Sequence, residues 1–141
     1  MKYLISFIVV LALFTNCKSR EEDQSPDDIN TTKEIKSPKE TVQAYLAATN
    51  HFDFKAAKEF LIPNKPNLML LETIKKMEKS LPDDRKSAFL DKEKEASYFE
   101  KEVTDSTAQI IVTPNKEATS QIKFKLLKVK SNWLIESVVS H

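Results

Sequence analysis

Glycine is missing from all 141 residues of this chain, where average usage of ~7% would supply about ten. Phosphate-cradling loops, dinucleotide fingerprints and nucleophile elbows need glycine where backbone must turn sharply or approach a ligand. None of these can exist here, and turns requiring positive φ are expected to fall to asparagine or aspartate. Cysteine occurs once, at Cys17, so an internal disulfide and a multi-thiolate zinc site are both excluded. Histidine occurs twice, at His51 and His141. They stand ninety positions apart, and neither a metal site nor a cofactor is expected from this pair. Charge of one sign is also lacking: 22 basic residues face 21 acidic ones. Nucleic-acid binding rests on neutralising phosphates with excess basic charge, so no nucleic-acid partner is expected.

No apolar run is long enough to span a bilayer, which takes about twenty helical residues. The longest, Leu4 to Phe14, follows a single lysine and ends at Thr15-Asn16-Cys17, after which charged residues begin at once. Its length suits the 7–15-residue core of a secretory signal peptide. With the lone cysteine at the expected cleavage point, residues 1–17 resemble a bacterial lipoprotein signal. That resemblance implies removal of residues 1–16, lipidation of Cys17 and a membrane contact through the attached chains. It also implies a place in the bacterial cell envelope, as an outer membrane lipoprotein facing the periplasm or the surface. Residues 17–36 then read as a flexible tether. Between Lys18 and Lys36 the only large aliphatic residues are Ile29 and Ile35, among four basic and six acidic residues. Such a stretch buries too little apolar surface to offset its conformational entropy. Residues 37–141 remain for one domain, enough for a single core.

The domain opens on helix signals. Ser37-Pro38-Lys39-Glu40 is a capping box with proline at the first helical position. Val42, Tyr45, Leu46 and Thr49 follow at helical spacing. Asp53 can cap a short second helix with Phe54, Ala57, Phe60 and Leu61 inward, stopped by Pro63. A third helix is expected from Asn67 to Ser80, facing Leu68, Leu71, Ile74 and Met77 inward, and Asp83 or Asp84 can begin a further turn. Past Lys94 the period falls to two. Phe99 and Val103 read as the inward residues of a first strand, and Ala108, Ile110 and Val112 of a second. Ile122, Phe124 and Leu126 lead a third, in which the opposite phase of Leu127 and Val129 suggests a β-bulge. Lys130-Ser131-Asn132 closes a hairpin onto a last strand from Trp133 to Val139. Helices followed by an antiparallel meander of about four strands indicate an α+β fold with helices on one face of the sheet.

Two segments, "NHFDFKAAKEFL" after the first helix and "FKLLKVKSNWLIESV" at the end, resemble the nuclear transport factor 2-like superfamily, and within it a family of small bacterial lipoproteins of unknown function. The resemblance spans residues 38–141, with Ser131-Asn132 standing where those proteins usually carry Asp-Gly. It implies a cone, in which a strongly curved sheet wraps the helices around a cavity.

Some enzymes of that superfamily place Asp, His or Tyr inside the cone. The corresponding candidates here are His51, Asp53, Tyr45 and Tyr98. A carboxylate can orient an imidazole, yet Asp53 has a simpler task as a helix cap, and no catalytic residue is assigned. Tyr45, Phe60, Phe99, Phe124 and Trp133 either line a pocket for a small apolar ligand or fill the core. Lys123, Lys125, Lys128 and Lys130 are expected on the solvated side of the last hairpin, where lysines also deter edge-to-edge pairing. The expected function is a membrane-anchored, non-enzymatic binding or interaction module for a protein or small apolar ligand. The alternative is a small envelope enzyme using the cone for acid–base chemistry.

Overall fold

The computed structural model describes residues 37–141. The signal segment, Cys17 and the tether lie outside the described residues. The chain folds as α+β: a set of helices followed by a four-stranded antiparallel sheet. The helices are α1 (Pro38–Asn50), α2 (Phe54–Glu59), α3 (Lys65–Ser80), α4 (Asp83–Lys86) and α5 (Lys92–Glu95), with a 3-10 turn at Ser87–Phe89 between the last two. The strands are β1 (Ser97–Val103), β2 (Thr107–Thr113), β3 (Ile122–Val129) and β4 (Asn132–Ser140), side by side in chain order. No helix among the described residues is long and apolar enough to cross a membrane.

Each long helix starts where its side chains satisfy otherwise orphaned amides. The Glu40 amide donates to Ser37 Oγ (3.1 Å) and the Ser37 amide to the Glu40 carboxylate (3.1 Å), so the expected capping box is formed. Asp53 caps α2 by accepting from the Ala56 amide at 2.9 Å. Helix α3 begins two residues earlier than its apolar pattern suggests, because Asn64 Oδ1 caps it through the Asn67 amide (2.9 Å). Asn67 is itself buried, and its Nδ2 lies within 2.9–3.1 Å of the carbonyls of Ile62, Ile135 and Glu136. That anchorage sets the rotation of the helix. Asn67 and Leu71 face in, whereas Leu68 and Met77, expected inward, are exposed.

The sheet contains two bulges, which place extra residues at Lys101 in β1 and Glu136 in β4. The phase change expected within β3 therefore belongs to its neighbour. Strand β3 alternates without interruption, and Leu127 lies on its outer face opposite Leu134. The bulge in β1 corrects a second expectation. Tyr98 pairs with Val112 on the inner face, which turns Phe99 outward beside Ile111, and only after Lys101 does Val103 return to the side of Ala108. Phe99 is accordingly 63% exposed. Positive φ falls at Phe52 (59°), Asp91 (61°) and Lys130 (56°). Only Asp91 is of the type expected. In a chain without glycine, two tight turns force a phenylalanine and a lysine into the left-handed region, at roughly 1–2 kcal/mol each.

The core lies between the helices and the inner face of the sheet. Val42, Tyr45, Ala57, Leu61 and Leu71 from the helical side meet Ala108, Ile110, Val112, Phe124, Leu126, Trp133 and Ile135. The outer edge of β4 is covered by the stretch before α3: the Ile62 amide donates to the Ile135 carbonyl (2.9 Å), and the Ile135 amide to that of Phe60 (2.8 Å).

Candidate functional site

The fold divides the five candidate aromatics between core and surface. Tyr45, Phe124 and Trp133 are buried, Phe60 packs against the same cluster half-buried, and Phe99 lies on the opposite face. The rings of Tyr45 and Phe124 meet edge to face with centroids 6.0 Å apart. Burial of Tyr45 pushes its phenol up to about 12, and its hydroxyl has no hydrogen-bond partner. Such a group stays protonated at neutral pH and offers no base. Tyr98, also raised to about 12 chiefly by burial, donates its hydroxyl proton to the Glu93 carbonyl at 2.7 Å.

The outer face of the sheet is banded. One row runs Phe99, Ile111, Lys123 and Val139 across all four strands. A second runs Glu102, Gln109, Lys125 and Ser137, and a third Thr107, Leu127 and Leu134. The two bulges fall beside the middle row, next to Glu102 and at Glu136. Bulges bend and twist the strands that carry them, and between them lies a hollow of about 190 Å³ lined by Glu102, Gln109, Lys125, Leu127 and Glu136. Its two glutamates face Lys125, and Lys123 stands in the next row, so charges of both signs meet here. Above and below the hollow stand the apolar rows, with Phe99 and Val139 both largely exposed. Of the four candidate lysines only Lys123 and Lys125 belong to this face. Lys128 pairs with Trp133 on the inner side, where its ammonium lies 5.7 Å from the indole, and Lys130 occupies the β3–β4 turn.

A third locus joins the exit of α1 to the segment before β1. His51 does not engage Asp53, which is occupied as a cap. It faces Asp91 instead, Nε2 to Oδ1 at 3.5 Å, with both side chains about half exposed. Asn50 Nδ2 donates to the Glu93 carboxylate at 2.8 Å, and Phe52 stacks edge-on against Phe89 with centroids 6.0 Å apart. Lys94 lies 2.7 Å from Asp91, and its ammonium holds that carboxyl below the usual carboxylate range.

Asn67, Asp91, Glu93 and the hollow were not legible as features in the chain. Asparagine within "PNKPN" reads as turn chemistry, and His51 and Asn50, which meet Asp91 and Glu93, lie forty or more residues away from them. The paired bulges carry no glycine to mark them. No protein-family model, curated protein or solved structure matches this chain.

Proposed function

We propose that the protein is a bacterial envelope lipoprotein, anchored through lipid on Cys17, whose domain is a non-enzymatic interaction module of the nuclear transport factor 2-like type. The observation that carries this reading is the outer face of the sheet. It exposes Phe99 and Val139, half-exposes Ile111, Leu127 and Leu134, and gathers charges of both signs around a shallow hollow. Interfaces combine apolar anchors with polar groups that fix register, and this face has both. The occupant is a protein of the same envelope. Glu102 and Glu136 at the hollow disfavour anionic headgroups, and a hollow of this size is smaller than the ~300–1,000 Å³ typical of small-ligand pockets.

Support for a cone comes from the helices packed on one face of a meander and from the two bulges that bend it. Support against acid–base chemistry comes from the inner face. Tyr45 there is held protonated, and His51 sits at the surface with Asp91 rather than within the core.

A photo-crosslinking amino acid placed at position 99, 139 or 55 in the anchored protein tests the proposal in cells. Positions 99 and 139 should give a discrete protein adduct, position 55 on exposed α2 should not, and Cys17→Ser should abolish it. Equal crosslinking from position 55, or adducts indifferent to Cys17, would contradict the proposal.

A further inference from the structure

We infer that the junction of His51, Asp91 and Glu93 is a binding site for a divalent transition metal of the zinc class. The three side chains offer one imidazole nitrogen and two carboxylate oxygens, with donor atoms all within 4.8 Å of one another. They come from two segments, the end of α1 and the turn into α5, that only the fold brings together.

The spacing suits a metal better than a direct contact. At 3.5 Å the approach of His51 Nε2 to Asp91 Oδ1 is long for a charge-assisted hydrogen bond. Two ligands each ~2.1 Å from a tetrahedral ion lie about 3.4 Å apart. The His51 and Asp91 donors therefore stand near the edge length of a coordination polyhedron, and the Glu93 carboxylate, within 4.8 Å of both, closes on the ion by a small side-chain rotation. The frame is fixed before any ion arrives. Phe52 packs on Phe89, the Tyr98 hydroxyl donates to the Glu93 carbonyl, and the Asn50 amide donates to the Glu93 carboxylate. Hydrogen bonds of this kind orient metal ligands and raise their affinity.

Donor chemistry selects the class of ion. Imidazole suits zinc, nickel, cobalt and copper(II), whereas calcium and magnesium prefer all-oxygen sites, and copper(I) prefers sulfur. Exposure of His51 and Asp91, at 51% and 54%, leaves room for water to complete the coordination sphere. The resident competitor is Lys94, whose ammonium already neutralises Asp91 at 2.7 Å. An incoming cation displaces that ammonium, which is 70% exposed and free to swing into solvent.

This competition supplies a test that a chance surface contact would fail. Full-length protein stripped with chelator is titrated with Zn²⁺ by calorimetry, and with Co²⁺ by its visible absorption. One equivalent should bind with a dissociation constant on the order of micromolar, with His51→Ala, Asp91→Asn and Glu93→Gln each weakening it by at least about tenfold. Lys94→Met should tighten binding severalfold, and His141→Ala should leave it unchanged. Unchanged circular dichroism in the His51 and Glu93 variants separates loss of ligands from loss of fold. Absence of saturable binding by about 100 μM Zn²⁺, binding indifferent to His51, or binding weakened by Lys94→Met would overturn the assignment.

Discussion

The two faces of the sheet are built from the same four strands and both carry large apolar residues, more of them on the inner face, yet only one of them is closed. On the inner face Ile110, Val112, Phe124, Leu126 and Ile135 are at most 1% exposed, beneath α1, α2 and α3. On the outer face Phe99 and Val139 keep 63% and 41% of their surface in solvent, with Ile111 and Lys123 between them. Scattered exposed apolar residues are ordinary. Here they share rows across hydrogen-bonded strands and flank a hollow, which is the arrangement a partner surface requires. Apolar residues occur on both the covered face and the open one. What distinguishes them is which face the helices cover.

Substitutions of like size on the two faces should therefore behave very differently. Phe124→Ala and Trp133→Ala remove buried aromatics and should each cost about 3–5 kcal/mol, seen as a large fall in the denaturation midpoint. Phe99→Ala should stay within about 0.5 kcal/mol of the parent. A comparable loss at Phe99 in the purified protein would mean that the outer face is part of the core.

The next effect sharpens how the sheet is held to its helices. Asn67→Ala removes the amide that meets the carbonyls of Ile62, Ile135 and Glu136, one of them in a fully buried contact. A cost of about 2–3 kcal/mol is expected, with faster hydrogen exchange at the Ile62 and Ile135 amides. If exchange there is unchanged, the bulge in β4 does not depend on this anchor.

A smaller effect concerns the Tyr45 hydroxyl, which α1 buries among apolar side chains without a hydrogen-bond partner. The Tyr45 phenol has an ordinary value of 10.0 and rises to about 12 when buried. Between those values the unfolded chain loses a proton that the folded one keeps, so stability falls as pH rises from about 10 to 12. Tyr45→Phe sacrifices no hydrogen bond. It should leave stability at pH 7 within about 0.5 kcal/mol of the parent and flatten the alkaline fall. A steep loss at pH 7 would reveal a partner for the hydroxyl within the core.

Much of this architecture is legible in the chain because local signals agree with it. The Ser37 capping box, the Asp53 cap, the inward sets of β2 and β3 and the final hairpin all follow from spacing and propensity. The misreadings share one physical origin, which is that tertiary contacts shift phase. Asn67 rotates α3 by docking on carbonyls from a distant strand, and bulges at Lys101 and Glu136 exchange the faces of Phe99 and the residues that follow. A bulge without glycine, or a helix register fixed by a buried amide, leaves no periodic trace. The His51 junction is hidden for a related reason: its donors converge only after α2, α3 and α4 have been threaded between them.

The central claim, that the outer face is covered in the cell while the inner face is covered by the fold, has one direct measurement. Single cysteines at positions 99, 139 and 55 are introduced into the anchored protein and labelled with maleimide, in intact envelopes and after purification. Relative to position 55, positions 99 and 139 should label at least about tenfold more slowly in the envelope, as for residues in the dry centre of an interface, and should recover on purification. Equal relative rates in both settings would contradict the account.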